Sequence, residues 1–145
     1  MTDGTGENGT VTGDIAGDIS GEFVRHLGLV FTEVTGDRVV ATWEALPKLH
    51  QPYGIVHGGV HCSVFETLAS VGAATWYGDR GQVVGVNNST DFLRAVREGT
   101  LTSTAVPVHQ GRLQQLWRIE TVTEADGKRV AQGQVRLQNI AAGGF

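Results

Sequence analysis

The chain has 145 residues, a formal charge of −4, 40% hydrophobic and 18% charged residues, and a mean hydropathy of −0.08. One domain of this length buries roughly two-thirds of its unfolded surface without staples, and its net negative charge disfavours a general binder of nucleic acid or anionic membrane. The single cysteine, Cys62, excludes an intramolecular disulfide framework and any cysteine-cluster zinc module.

Residues 1–21 hold six of the 21 glycines among Thr, Asp, Glu and Asn. Such a stretch buries too little to offset its chain entropy, so a disordered tail is expected there, with one domain over 22–145. The first residues show no basic start and no apolar run of signal-peptide length, which points to a cytoplasmic location. From Phe23, FVRHLGLVF reads as a short helix or turn against the core. In DRVVATWEAL, Val39, Ala41, Trp43 and Ala45 alternate onto one face, the pattern of a half-buried strand. PKLHQPYGIV, with Pro47, Pro52 and Gly54, reads as a loop.

Gly58 to Tyr77 is apolar at helical spacing through Val60, Val64, Leu68 and Val71, and small on the other side at Ala69, Gly72, Ala73 and Ala74. A helix apolar or small all round is expected to be buried. Glu66, His61 with His57 just ahead of it, and hydroxyl side chains, without basic flanks, argue against a membrane span. Four Val/Thr/Leu-rich runs follow, the last two joined by EADGK, whose Asp-Gly is a hairpin signal. Leu113, Trp117, Ile119 and Thr121 are expected on one face of the third, and Ala131, Gly133, Val135 and Leu137 on one face of the fourth. The sum is an α+β domain: an antiparallel sheet of five to six strands with one long helix covering a face.

Between Lys48 and Asp79 the only charged residue is Glu66, mid-helix. A buried carboxylate costs several kcal/mol unless paired, hydrogen-bonded or protonated, so its presence there points to chemistry. Ser70 lies four residues on, on the same face. Upstream, His57-Gly58-Gly59 falls at the helix start, where free amides and the positive dipole end can receive a carbonyl or an oxyanion.

The stretch Gln51 to Ser70, with STDFLRAVREG and HQGR later, resembles hotdog-fold acyl-CoA thioesterases, specifically the glutamate-using 4-hydroxybenzoyl-CoA and phenylacetate-pathway type. The resemblance covers about residues 22–140. It implies a sheet wrapped round one central helix, with Glu66 as catalytic base or nucleophile and the Gly58 N–H as carbonyl and oxyanion donor. Gln51, His57 and Ser70 match the family's supporting polar residues. It implies an acyl-CoA substrate, with aryl-, arylacetyl- and medium-chain groups all open, and no cofactor beyond the coenzyme A of the substrate.

Gly58 and Glu66 are separated by ~12 Å along a helix, too far for one carbonyl to sit ~3 Å from both. Two antiparallel helices from two subunits would bring them together. A homodimer with composite sites is therefore expected, and the resemblance leaves open a tetramer of dimers. The phosphates of coenzyme A require local positive charge, for which Arg94, Arg97 and Arg112 are the candidates.

Four other readings compete. His57 and His61 are four residues apart, with His50, Cys62 and Glu66 near, but no third metal ligand shares their face, so no metal is expected. Cys62 reads as a small buried hydrophobe, not a nucleophile. The Asn-Pro motif of hotdog dehydratases is absent. A non-catalytic acyl-CoA-binding domain is the alternative from another class.

Overall fold

The computed structural model describes the backbone of residues 15–144 and the side chains of residues 21–144. Residues 1–14, the larger part of the expected tail, lie outside the described residues. Helix α1 (Ile15–Leu27) takes in residues 15–21 and is interrupted at Gly21, whose φ of 65° and ψ of −178° are not helical. Strand β1 (Val30–Val34) comes next, and its first two residues, Val30 and Phe31, lie in the stretch expected to be a helix or turn. The alternating run becomes β2 (Val39–Glu44), with Val39, Ala41 and Trp43 buried on one face. The long helix is α2 (Gly58–Tyr77). It is followed by β3 (Gly81–Phe92), β4 (Thr100–Gln110), β5 (Gln114–Thr123) and β6 (Arg129–Ala141).

The six strands form one sheet in the order β1-β2-β4-β5-β6-β3, every pairing antiparallel. The expected α+β architecture, a six-stranded antiparallel sheet carrying one long helix, is the hotdog fold. Among the described residues no helix is long and apolar enough to cross a membrane. The Asp126-Gly127 hairpin forms, with the Gly127 N–H donating to the Thr123 carbonyl at 2.8 Å.

The core lies between the sheet and the inner side of α2. Val64, Phe65, Leu68, Ala69 and Ala73 are wholly buried there against Trp43, Leu101, Trp117, Ile119 and Leu137. Fully burying each large side chain is worth about 1.5–3 kcal/mol. Gly72 sets the spacing: a Cβ at this position would fall 2.5 Å from Cη2 of Trp117.

Leu113 is not on the buried face of the third run. It sits in the turn before β5, 54% exposed, and Gln115 occupies the inward position instead. A buried amide is tolerated because all its polar atoms are used. Gln115 Oε1 accepts from Trp117 Nε1 at 3.0 Å, while Nε2 donates to Asn139 Oδ1 at 2.9 Å and to the Ala73 carbonyl at 3.2 Å. This network ties α2 to two strands.

Strand β3 is an edge and carries a bulge. Gly85 pairs with Leu137 and Asn87 with Arg136, leaving Val86 as the extra residue. Val83 and Gly85 lie opposite the inward residues Asn139 and Leu137, and beyond the bulge Asn88 and Phe92 lie opposite Val135 and Ala131. The side chains facing α2 thus change from odd to even positions.

Candidate active site

The first turn of α2 is built by the loop before it. His57 is the N-cap, in an extended conformation, and its Nδ1 accepts from the Gly59 N–H at 2.8 Å. In the neutral ring that bond leaves the proton on Nε2, facing outward. The Val60 N–H donates back to the His57 carbonyl at 2.9 Å. The Gly58 N–H has no acceptor among the described residues. One amide of the first turn is therefore left to bind a ligand, at the positive end of a 20-residue helix.

Gln51 stands close by in sequence, in the loop. Its Oε1 accepts from the Tyr53 N–H, so its Nε2 is the group left to donate. Arg97 holds the same loop from outside, Nη1 donating to the Tyr53 carbonyl at 3.0 Å and to that of Gly54 at 3.4 Å. The ring of Phe92, at the end of β3, rests on Gly58: a Cβ there would meet Cε2 at 2.5 Å and Cζ at 2.7 Å.

Glu66 lies about two turns further along α2, and it is exposed. The expectation of a helix buried all round is corrected here. The sheet covers one side only, and the outer stripe consists of Gly59, Ser63, Glu66, Thr67, Ser70 and Ala74, whose small or polar side chains leave little apolar area in water. The Glu66 carboxylate lies over Gly85, where a Cβ would fall 3.3 Å from Oε1. Glu66 and Ser70 line a groove of about 570 Å³ between α1, α2 and the start of β3, with Phe23, Val24, Val71 and Val83 as its apolar walls. That volume is in the range of small-molecule sites. Gln51, His57 and Gly58 are not among its lining residues. Within one chain the five residues form two separate groups.

The other candidates fall as follows. His61 is buried between Trp43 and Phe92 and burial pushes its pKa down to about 4. His57 is exposed and occupied as a cap, so the two histidines do not converge. Among the described residues no three His, Cys, Asp or Glu side chains are grouped to hold a metal ion. Cys62 is half-buried, with its carbonyl accepting from Asn88 Nδ2 at 2.9 Å. Phe65 is wholly in the core, and Trp76 stacks under the Arg80 guanidinium at 4.3 Å. Arg94 is ion-paired with Asp126 at 3.0 Å. The Thr123 hydroxyl, the Lys128 N–H and Arg94 together hold the Asp126 carboxyl far below the usual carboxylate range. Arg112, in the β4–β5 turn, has no side-chain partner among the described residues. Phe92 as a neighbour of Gly58 leaves a single trace in the sequence, an aromatic residue in STDFLRAV.

One long helix on a six-stranded antiparallel sheet defines the hotdog architecture, and here that helix carries an unused amide at its first residue and a carboxylate on its outer stripe. The chain belongs to the thioesterase superfamily, whose family model matches residues 53–130. The crystal structure of S. sahachiroi AziG superimposes with a TM-score of 0.81 at 55% identity, covering 83% of this chain and 98% of that one. The proofreading thioesterase EntH of Cronobacter sakazakii is 36% identical over 109 residues, 75% of this chain and 79% of EntH. The thioesterase HI1161 of Haemophilus influenzae superimposes with a TM-score of 0.78 at 32% identity, over 84% of this chain and 85% of that one.

Proposed function

We propose that this thioester hydrolase acts on acyl-CoA in the cytoplasm, without a bound cofactor, at sites shared between two subunits. The observation that carries the reading is the division of α2. Its free amide and its exposed carboxylate sit about two turns apart, and one thioester carbonyl cannot reach both in one chain. A second α2 packed antiparallel brings Glu66 and Ser70 of the partner subunit to the Gly58 amide. The exposed outer stripe and the outer edge of β3, unpaired among the described residues, support such an assembly, and pairing of these dimers into a tetramer is compatible with it.

In this reading the Gly58 N–H polarises the carbonyl and receives the developing oxyanion. Glu66 takes the proton of an attacking water or adds to the carbonyl itself to give an anhydride. Single-turnover hydrolysis in heavy-oxygen water separates the two routes, since only the anhydride leaves label in Glu66. Ser70 positions the water or the carboxylate, and the free Gln51 Nε2 donates to Glu66 or to the acyl group. His57 sets the first turn and presents Nε2–H toward the departing thiolate. Arg94 and Arg112 are the exposed cations for the coenzyme A phosphates, while Arg97 acts on the loop that holds Gln51.

The test is thiol release from a panel of acyl-CoAs, followed by subunit mixing. Gly58→Pro removes the N–H at the first helix position, where the backbone suits proline although its ring must displace that of Phe92, and Glu66→Ala removes the carboxylate. Each is expected to be inactive alone. Mixed and re-assembled in equal amounts they recover about a quarter of wild-type activity, because half of the dimers hold one intact site. No recovery would overturn the composite site. Tight acyl-CoA binding without thiol release would make the chain a binding domain.

A further inference from the structure

Phe92 is 56% exposed at the end of an edge strand, yet its ring is held on two sides. One neighbour is Gly58, where the ring fills the space that any side chain would occupy. The other is His61, with ring centroids 5.9 Å apart and planes tilted by 33°. His61 in turn meets Trp43 edge-on at 5.6 Å and 69°. Trp43 is anchored in the core by Nε1–H donating to Ser103 Oγ at 3.0 Å. Trp43, His61 and Phe92 thus form a column of rings from the buried core at β2 to the first residue of α2. His61 is 3% exposed, and burial keeps its imidazole neutral at ordinary pH, so it is a flat shelf rather than a charge.

The phase change at the β3 bulge is what turns Phe92 toward the helix instead of its neighbour Asp91. A carboxylate beside the Gly58 amide would oppose the negative charge that develops there, whereas an aromatic ring excludes water. A hydrogen bond to an oxyanion is stronger where water is kept out.

We infer that Phe92 is a positioning residue, the wall of the Gly58 donor site, which directs the thioester carbonyl onto the amide and keeps water off that side of the oxyanion. The inference rests on the reading of Gly58 as the carbonyl donor.

The experiment uses the full chain and the ketone isostere of benzoyl-CoA, with methylene in place of the thioester sulfur, and reads the infrared carbonyl stretch of the bound molecule. In the wild type the band is expected to move to lower frequency than in water. In Phe92→Ala at least half of that shift is lost, kcat for benzoyl-CoA falls about tenfold and KM changes less. Phe92→Leu, which restores apolar bulk, recovers most of both. A purely structural Phe92 would instead lower the melting temperature of the Ala variant and leave the band where it is in the wild type, which overturns the inference alone. A bound analogue with no shift in the wild type overturns the role of Gly58, and the wall falls with it.

Discussion

Gly58 and Gly72 belong to the same helix, and at each a Cβ would lie 2.5 Å from an aromatic ring. The rings differ: Phe92 is 56% exposed on an edge strand, and Trp117 is wholly buried at the centre of the sheet. Equal local crowding therefore has unequal meaning. At Gly72 it brings helix and sheet into contact, and the surroundings cannot yield. At Gly58 the ring can swing into solvent, so the missing side chain leaves an amide open beside an apolar wall. The inner face of α2 holds the fold together, and its outer and leading edges are left for chemistry.

That division is most severely challenged by Glu66→Ala. On the outer stripe, with no hydrogen bond or ion pair among the described residues of its own chain, it should lower kcat about a thousandfold while folding stability moves by less than about 0.5 kcal/mol; a large stability loss in urea would place Glu66 in the packing instead. The next largest effect concerns the ring column behind Gly58. His61 binds its proton only near pH 4 in the folded chain and near 6.5 unfolded, so its contribution is complete above pH 6.5 and is lost as pH falls toward 4. Urea unfolding at pH 7.5 and 4.5 should differ by about 2–3 kcal/mol from this group, and His61→Phe should reduce the difference; an unchanged pH dependence would dissociate the column from His61 protonation. Gly72→Ala then tests the inner face, with an expected loss of about 1–3 kcal/mol from overpacking and normal turnover per folded molecule. Gly58→Ala is the smallest and the sharpest comparison. It should lower kcat/KM about tenfold by displacing Phe92, at a stability cost under about 1 kcal/mol. Equal stability losses at both glycines would erase the distinction between them.

Much of this architecture is written in local pattern. The alternation of Val39, Ala41, Trp43 and Ala45, the 58–77 helix and the Asp126-Gly127 hairpin each follow from spacing within a few residues. Glu66 was legible for a reason that needed correcting: it is conspicuous as the lone charge in a long segment, but it stands in solvent rather than in the core. His57 before two glycines carried its own signal, and the structure gives it the concrete task of capping Gly59. The remainder depends on contacts between segments far apart in sequence. Gln115 looks like a surface residue until Ala73 and Asn139 are brought to it. Arg97 is indistinguishable from a free surface cation until the Tyr53–Gly54 carbonyls fold against it. Phe92 reaches Gly58 only because β3 runs back along α2.

The bulge at Val86 also bears on how this strand counts. Were β3 to pair without it, keeping every residue, each position beyond Gly85 would move one step and Asp91 would lie under the first turn of α2. Were Val86 deleted, the pairs on both sides could remain as they are and Phe92 would keep its place. The same strand is thus sensitive to a slip of one residue and tolerant of the loss of one. An edge strand can carry such an irregularity along its length because only one neighbour has to match it; the interior strands β4 and β6 carry theirs, at Val108 and Val130, only beyond the last pairs with their other neighbours.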